Sequence, residues 1–162
     1  MTVLQLTATE APAENRPVAP LTIAQQVLWL RRDVDTTPMD VLKLVYLCHG
    51  WMLGYHGVEL IDEPVEAWTY GPVVPSLYHR YKVYGSGIIV EETAVQRGLL
   101  SSDMSGLVNH FVHLYRPFSP FQLSALTHQP DTPWDITRRR TGIGSVIPTY
   151  LIRDHYRKLI DG

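Results

Sequence analysis

The side chains that could do chemistry are few and scattered along the chain. His128 follows Leu126-Thr127 and precedes Asp131 and Asp135, so a histidine–carboxylate couple for acid–base work is the sharpest catalytic reading. No serine, cysteine or lysine in a recognisable nucleophile signature stands beside it, which favours a structural corner held by Trp134. His110 and His113 stand three apart on one helical face, a spacing a metal could use. No third ligand comes from a defined motif, so a solvated pair is expected and no metal is assigned. His49, in a mostly apolar helix, reads as a hydrogen-bonded core histidine. Gly142-Ile143-Gly144 lacks the preceding strand and the full glycine pattern of a phosphate loop. The chain therefore reads as a non-enzyme, with no catalytic residue and no cofactor.

Rigid aromatic surface is the stronger signal. In Trp68-Thr69-Tyr70-Gly71-Pro72-Val73-Val74-Pro75 a glycine and two prolines fix the backbone. Trp68, Tyr70, Tyr78 and Tyr81 then offer large side chains of low entropy beside Arg80, the types that dominate interface hot spots. Trp68 and Tyr78 lean toward core packing, while Tyr70 and Tyr81 are evenly balanced between core and surface. Tyr70, Arg80, Tyr81, His128 and Trp134 are the candidate partner contacts. Trp51, Trp68, Gly71, Pro72, Pro75, Tyr78 and Thr127 are read as structural, with Thr127 satisfying backbone groups at a helix end.

The elements that must position these residues follow from period and caps. Met1 to Leu21 is proline-bearing and polar, and reads as a flexible or irregular tail ahead of a domain spanning 22–162. Thr22 with Gln25 suggests a capping box for a first helix whose face carries Ile23, Val27, Leu30 and Val34. Thr37-Pro38 caps a second helix running to His56, apolar on two sides and thus central, with Gly57 ending it. Only Lys43, Leu47, Gly50 and Gly54 form a third stripe, whose glycines would admit a close neighbour.

Pro64 to Trp68 reads as a short strand led in by Val58 to Ile61, with a turn at Asp62-Glu63 and another at Gly71-Pro72. Pro75 opens a third helix through Tyr84, and Ile88-Ile89-Val90 is a second strand candidate. Ser102 or Asp103 caps a helix carrying Met104, Leu107, Val108, Phe111 and Tyr115, and Ser119-Pro120-Phe121-Gln122 opens another to about Thr127. His128 to Gly144 reads as a polar loop in which Arg138, Arg139 and Arg140 are solvated. Pro148 starts a terminal helix burying Ile152, His155, Tyr156 and Leu159. The sum is an α+β class, one mainly helical domain of about six helices with a small antiparallel sheet or hairpin.

Composition is consistent with that reading. In 162 residues, 45% are hydrophobic and 19% charged, enough to bury a core without staples. The net charge of −2 supplies no field for nucleic acid or anionic membrane. The single cysteine, Cys48, rules out an internal disulfide and fits a cytoplasmic, reducing setting. No run reaches the ~20 apolar residues of a membrane span, and no secretory leader is evident.

Several blocks also resemble a known family. Pro38-Met39 through Leu44-Val45-Tyr46, His49-Gly50-Trp51, Glu66-Ala67-Trp68-Thr69-Tyr70-Gly71-Pro72-Val73-Val74-Pro75 with Leu77-Tyr78, and Leu123-Ser124 through Leu126-Thr127-His128 with Pro133-Trp134 are similar to the SocA-like Panacea antitoxin domain, also labelled a phage-associated GepA-like domain. The resemblance runs from roughly Thr22 to Ile160. It implies a mainly helical domain with a small antiparallel sheet and no established enzymatic activity. It implies a bacterial or phage antitoxin that neutralises the toxin of a two-gene locus, by direct binding or as an adaptor to a ClpXP-type protease. The other readings are a phage or host-interaction module bound to another host protein, and an acid–base enzyme using His128. The family signature fixes no toxin-contacting residue. The added helix-turn-helix of some members has no counterpart in residues 1–21, so nucleic-acid binding is not expected.

Overall fold

The computed structural model describes residues 15–91 and 99–162. Among these are seven α-helices and one two-stranded sheet. The helices are α1 (Pro20–Leu30), α2 (Pro38–His56), α3 (Pro75–Tyr81), α4 (Ser102–Leu114), α5 (Pro120–Thr127), α6 (Pro133–Arg140) and α7 (Thr149–Asp161), and the strands are β1 (Glu66–Trp68) and β2 (Gly71–Val73). The α+β, mainly helical architecture is the one expected.

Helix α2 is the axis of the domain. Its start is a complete capping box: Thr37 Oγ1 accepts the Asp40 N–H at 3.3 Å, and Asp40 Oδ2 accepts the Thr37 N–H at 2.9 Å. Gly57 ends it in the left-handed conformation at φ 70°. Both apolar sides are covered, by α1, α4, α5 and α7. The glycine stripe does admit a neighbour. A Cβ on Gly54 would lie 2.9 Å from the Tyr156 Cβ, and one on Gly50 would overlap the Tyr156 ring. Trp51 stacks on Phe111 at 4.8 Å and 3° between planes, and its Nε1 donates to the Tyr115 hydroxyl at 2.9 Å. That pair ties α2 to the end of α4.

The sheet differs from the expectation. Strands β1 and β2 pair antiparallel in the register Glu66↔Val73, Ala67↔Pro72 and Trp68↔Gly71, so the hairpin turns at Thr69-Tyr70. Gly71-Pro72 is therefore strand, where a turn was expected; Pro72 tolerates this because its missing N–H faces away from β1. The expected lead-in strand at Val58 to Ile61 contributes only an isolated parallel bridge, Val18 with Ile61. On its other side β1 is flanked by the 144–147 segment, through Ala67 N–H to Ser145 O at 2.8 Å and Ile147 N–H to Val65 O at 2.8 Å. The strand candidate Ile88-Ile89-Val90 is not a strand. Only Ile89 is buried, its N–H donating to Thr36 O at 2.9 Å, and it pairs with no strand among the described residues.

Several element ends also move. Helix α1 begins at Pro20 behind Ala19, so Thr22 lies inside it and forms no capping box. Ser101, one residue earlier than expected, caps α4 through the Met104 N–H at 3.1 Å. The polar loop expected from His128 to Gly144 contains α6, capped by Thr132 and started by Pro133, with Arg138, Arg139 and Arg140 as its last turn. In α7, Ile152 and Tyr156 are buried, while His155 is half-buried and Leu159 exposed. Within the expected tail Asn15 and Pro20 are buried, Asn15 Nδ2 donating to Asp103 at 2.9 Å, and the Val18 N–H donates to Leu60 O at 3.0 Å. The rest of that tail, residues 1–14, lies outside the described residues.

Candidate functional site

Three elements build one groove around the hairpin. The first turn of α2 supplies Met39 and Leu42, the hairpin supplies Trp68 and Tyr70, and α3 supplies Tyr78, enclosing about 680 Å³. Ile143, from the turn after α6, also lines it. The aromatic wall is ordered by its own geometry. Trp68 meets Tyr78 edge-on at 4.9 Å and 63°, and Trp68 Nε1 donates to Glu66 Oε1 at 2.9 Å. Tyr70, at the tip of the turn, is 78% exposed.

Lys43 lies in the floor, 3% exposed. Its Nζ donates to the carbonyl oxygens of Tyr70 and Pro72, each at 3.3 Å. The Tyr70 carbonyl belongs to the hairpin turn and the Pro72 carbonyl to β2, so the amine ties the turn to the strand that follows it. Ser124 Oγ donates to the same Tyr70 oxygen at 3.3 Å. No carboxylate among the described residues is paired with Lys43, and burial pushes its amine down to about 8. Gly71, at φ 124°, makes room: a Cβ there would lie 2.6 Å from Lys43 Nζ.

The second motif block locks onto the first. Trp134 Nε1 donates to Trp68 O at 2.6 Å, and Thr127 Oγ1 donates to Ser124 O at 2.8 Å. Arg138 lies over the Trp134 ring at 5.0 Å, and His128 meets the same ring edge-on at 5.6 Å. Trp134 is thus buried between two motifs, and its candidacy as a partner contact is corrected to a structural role. Tyr81 is corrected likewise: it is fully buried, because α3 turns that face onto the core. Tyr70 and Arg80 are exposed, Arg80 pairing with Glu91 at 3.2 Å, and His128 is half-buried.

The acid–base couple does not assemble. His128 Nδ1 lies 3.4 Å from Ser124 Oγ, whereas Arg139 binds both Asp131 and Asp135 at 3.1 Å. The backbone N–H of Asp131, with Arg139 and Arg138, holds the Asp135 carboxyl below its usual range against the cost of its burial. The α6 arginines have captured the carboxylates that a catalytic His128 would need. His110 and His113 are exposed on α4, and no group of three potential metal ligands occurs among the described residues. His49 is a core histidine, as expected. Its Nδ1 accepts the Leu60 N–H at 3.3 Å, and burial pushes its pKa down to about 4.

Sequence reasoning missed Lys43 as part of a site. The available signal was a lone cation at a position where its helix is apolar on both flanks. It also missed Ile143, which was read only as part of a failed phosphate loop.

A family model described as antitoxin SocA-like, Panacea domain, matches residues 41–135, more than half of the chain. The chain belongs to the SocA-like Panacea family. The matched span of this Panacea domain contains α2 from its fourth residue on, the hairpin, α3, α4, α5 and Trp134, so it includes most of the groove and the Trp134–Trp68 lock. Antitoxin SocA of Caulobacter vibrioides (strain NA1000 / CB15N) is 26% identical over 140 residues, covering 77% of this chain and 74% of its own. No solved structure matches the domain. Among the described residues, no helix is long and apolar enough to cross a membrane.

Proposed function

We propose that this Panacea domain is a non-enzymatic antitoxin of a two-gene system, acting in the cytoplasm by binding its cognate toxin directly. The observation that carries the reading is the preformed aromatic groove with Tyr70 exposed at its lip. Large, rigid aromatic side chains held open to solvent are what a protein-binding hot spot requires. The antitoxin name of the Caulobacter relative supports the same reading. Tyr70, with Arg80 and His128 on the flanks, is the proposed contact set; Tyr78 joins it as the groove wall.

Co-expression with the product of the adjacent gene tests the proposal. Growth arrest by that product, relieved by this chain with both proteins co-purifying at normal toxin level, is the expected result. Relief accompanied by ClpXP-dependent loss of the toxin would shift the mechanism to protease adaptor. A non-toxic neighbour that does not bind would overturn the antitoxin reading.

A further inference from the structure

The charges around the groove are one-sided. Lys43 in the floor and Lys82 on the rim line it, and neither is in an ion pair among the described residues. Among the described residues, no aspartate or glutamate lines it. Of the nearby carboxylates, Asp40 is buried against Thr37 and Arg31, and Glu66 lies behind the wall with one oxygen accepting the Trp68 indole N–H. Pro38 and Met39, at the start of α2, also belong to the lining. Between these charges the walls are Met39, Leu42, Trp68 and Tyr78.

We infer that the groove takes an acidic, apolar-anchored segment of the protein partner. An aromatic or branched side chain seats between Met39 and Tyr78, with an aspartate or glutamate beside it facing Lys82. A basic segment would meet Lys82 with no described carboxylate in the lining to offset it, and a wholly apolar one would leave the Lys82 ammonium unpaired at the rim. The inference rests on the protein-binding half of the proposed function, not on the partner being a toxin.

A random displayed-peptide library panned on the immobilised full chain tests it. Enriched peptides are expected to combine acidic residues with an aromatic or branched one. The best of them, synthesised and titrated by fluorescence polarisation, should bind Lys82→Glu and Ile143→Asp at least about tenfold more weakly than the wild type. Both positions are exposed, so circular dichroism should be unchanged. Enrichment of neutral or basic peptides, no enrichment, or equal binding by the two variants overturns the inference. Failure of the antitoxin reading is distinguishable from this. Acidic peptides captured alongside a neighbour that does not bind leave the groove assignment standing. A toxin held equally by the wild type and both variants leaves the antitoxin standing and removes the groove assignment.

Discussion

Trp134 Nε1 reaches across 66 residues of sequence to donate a 2.6 Å hydrogen bond to the carbonyl oxygen of Trp68. This bond explains why the two motif blocks belong together. The carbonyl sits at the end of β1, where the hairpin starts to turn, so the indole sets the position of the turn that carries Tyr70. Through Trp134 the second block thus braces the first.

Trp134→Phe keeps most of the buried ring and removes the donor. It should cost about 1–3 kcal/mol, the lost hydrogen bond together with the space the smaller ring leaves in a buried site. Urea unfolding followed by circular dichroism measures this. Because the brace positions Tyr70, the variant should also bind partner more weakly than its residual stability alone would predict. Stability within experimental error of the wild type would mean that the bond does not hold the hairpin.

How much of this was legible in sequence depends on what each element needs from its neighbours. Helix α2 announces itself through Thr37-Pro38, a two-sided apolar pattern and Gly57, all local signals. Helix α6 carries the same start, Thr132-Pro133 with Asp135, but offers only Trp134 and Ile136 as large apolar residues in eight. Its pattern is too polar to show a buried face, and Arg138 and Arg139 are held by Asp131 and Asp135, a contact that exists only once the helix forms. The hairpin was misplaced for a different reason. Gly71-Pro72 is a strong turn signal, yet Gly71 is needed for the space its missing side chain leaves to Lys43. That demand comes from α2, 28 positions earlier in the chain, and no local pattern encodes it. The groove itself combines residues from four segments, so only its aromatic members were visible.

Gly71→Ala tests that packing demand. The new methyl would sit 2.6 Å from Lys43 Nζ and 3.4 Å from Thr127 Oγ1, at a φ of 124° that side-chain-bearing residues seldom adopt. Displacing a buried, hydrogen-bonded amine and straining the backbone together should cost about 2–4 kcal/mol. Thermal melts of Gly71→Ala and of the Gly71→Ala/Lys43→Met pair separate the two parts. The pair should recover the steric share and keep the backbone share. A pair that melts no higher than the single variant would place the whole cost in the backbone.

Lys43 makes stability depend on pH in the alkaline range. Its amine titrates at about 8 in the fold against an ordinary 10.5, so between those values the unfolded chain binds more protons than the folded one. Stability therefore rises as pH rises through that window, by up to about 3 kcal/mol, and the burial penalty is fully present below pH 8. Denaturant midpoints measured from pH 7.5 to about 10 should show this rise in the wild type. Lys43→Met, which cannot titrate, should lose it while also losing the two bonds to the Tyr70 and Pro72 carbonyls. An equal rise in the variant would assign the effect to other groups.

His49 works at the opposite end of the scale. Its pKa of about 4 in the fold, against an ordinary 6.5, means that the unfolded chain again binds the extra proton between those values. Here the consequence is loss of stability as pH falls from about 6.5 toward 4, again by up to about 3 kcal/mol. Protonation would also spoil the role of Nδ1, which accepts the Leu60 N–H at 3.3 Å and so fixes the chain where Val18 pairs alongside. His49→Asn offers an amide oxygen near the Nδ1 position and has nothing to titrate. It should therefore be less stable than the wild type at neutral pH, because it fills less of the core, yet fall off less steeply on acidification. Guanidinium titrations of both proteins at pH 7, 6, 5 and about 4.5 give the comparison. Parallel acid slopes would show that carboxylates, rather than this buried imidazole, govern the acid limit.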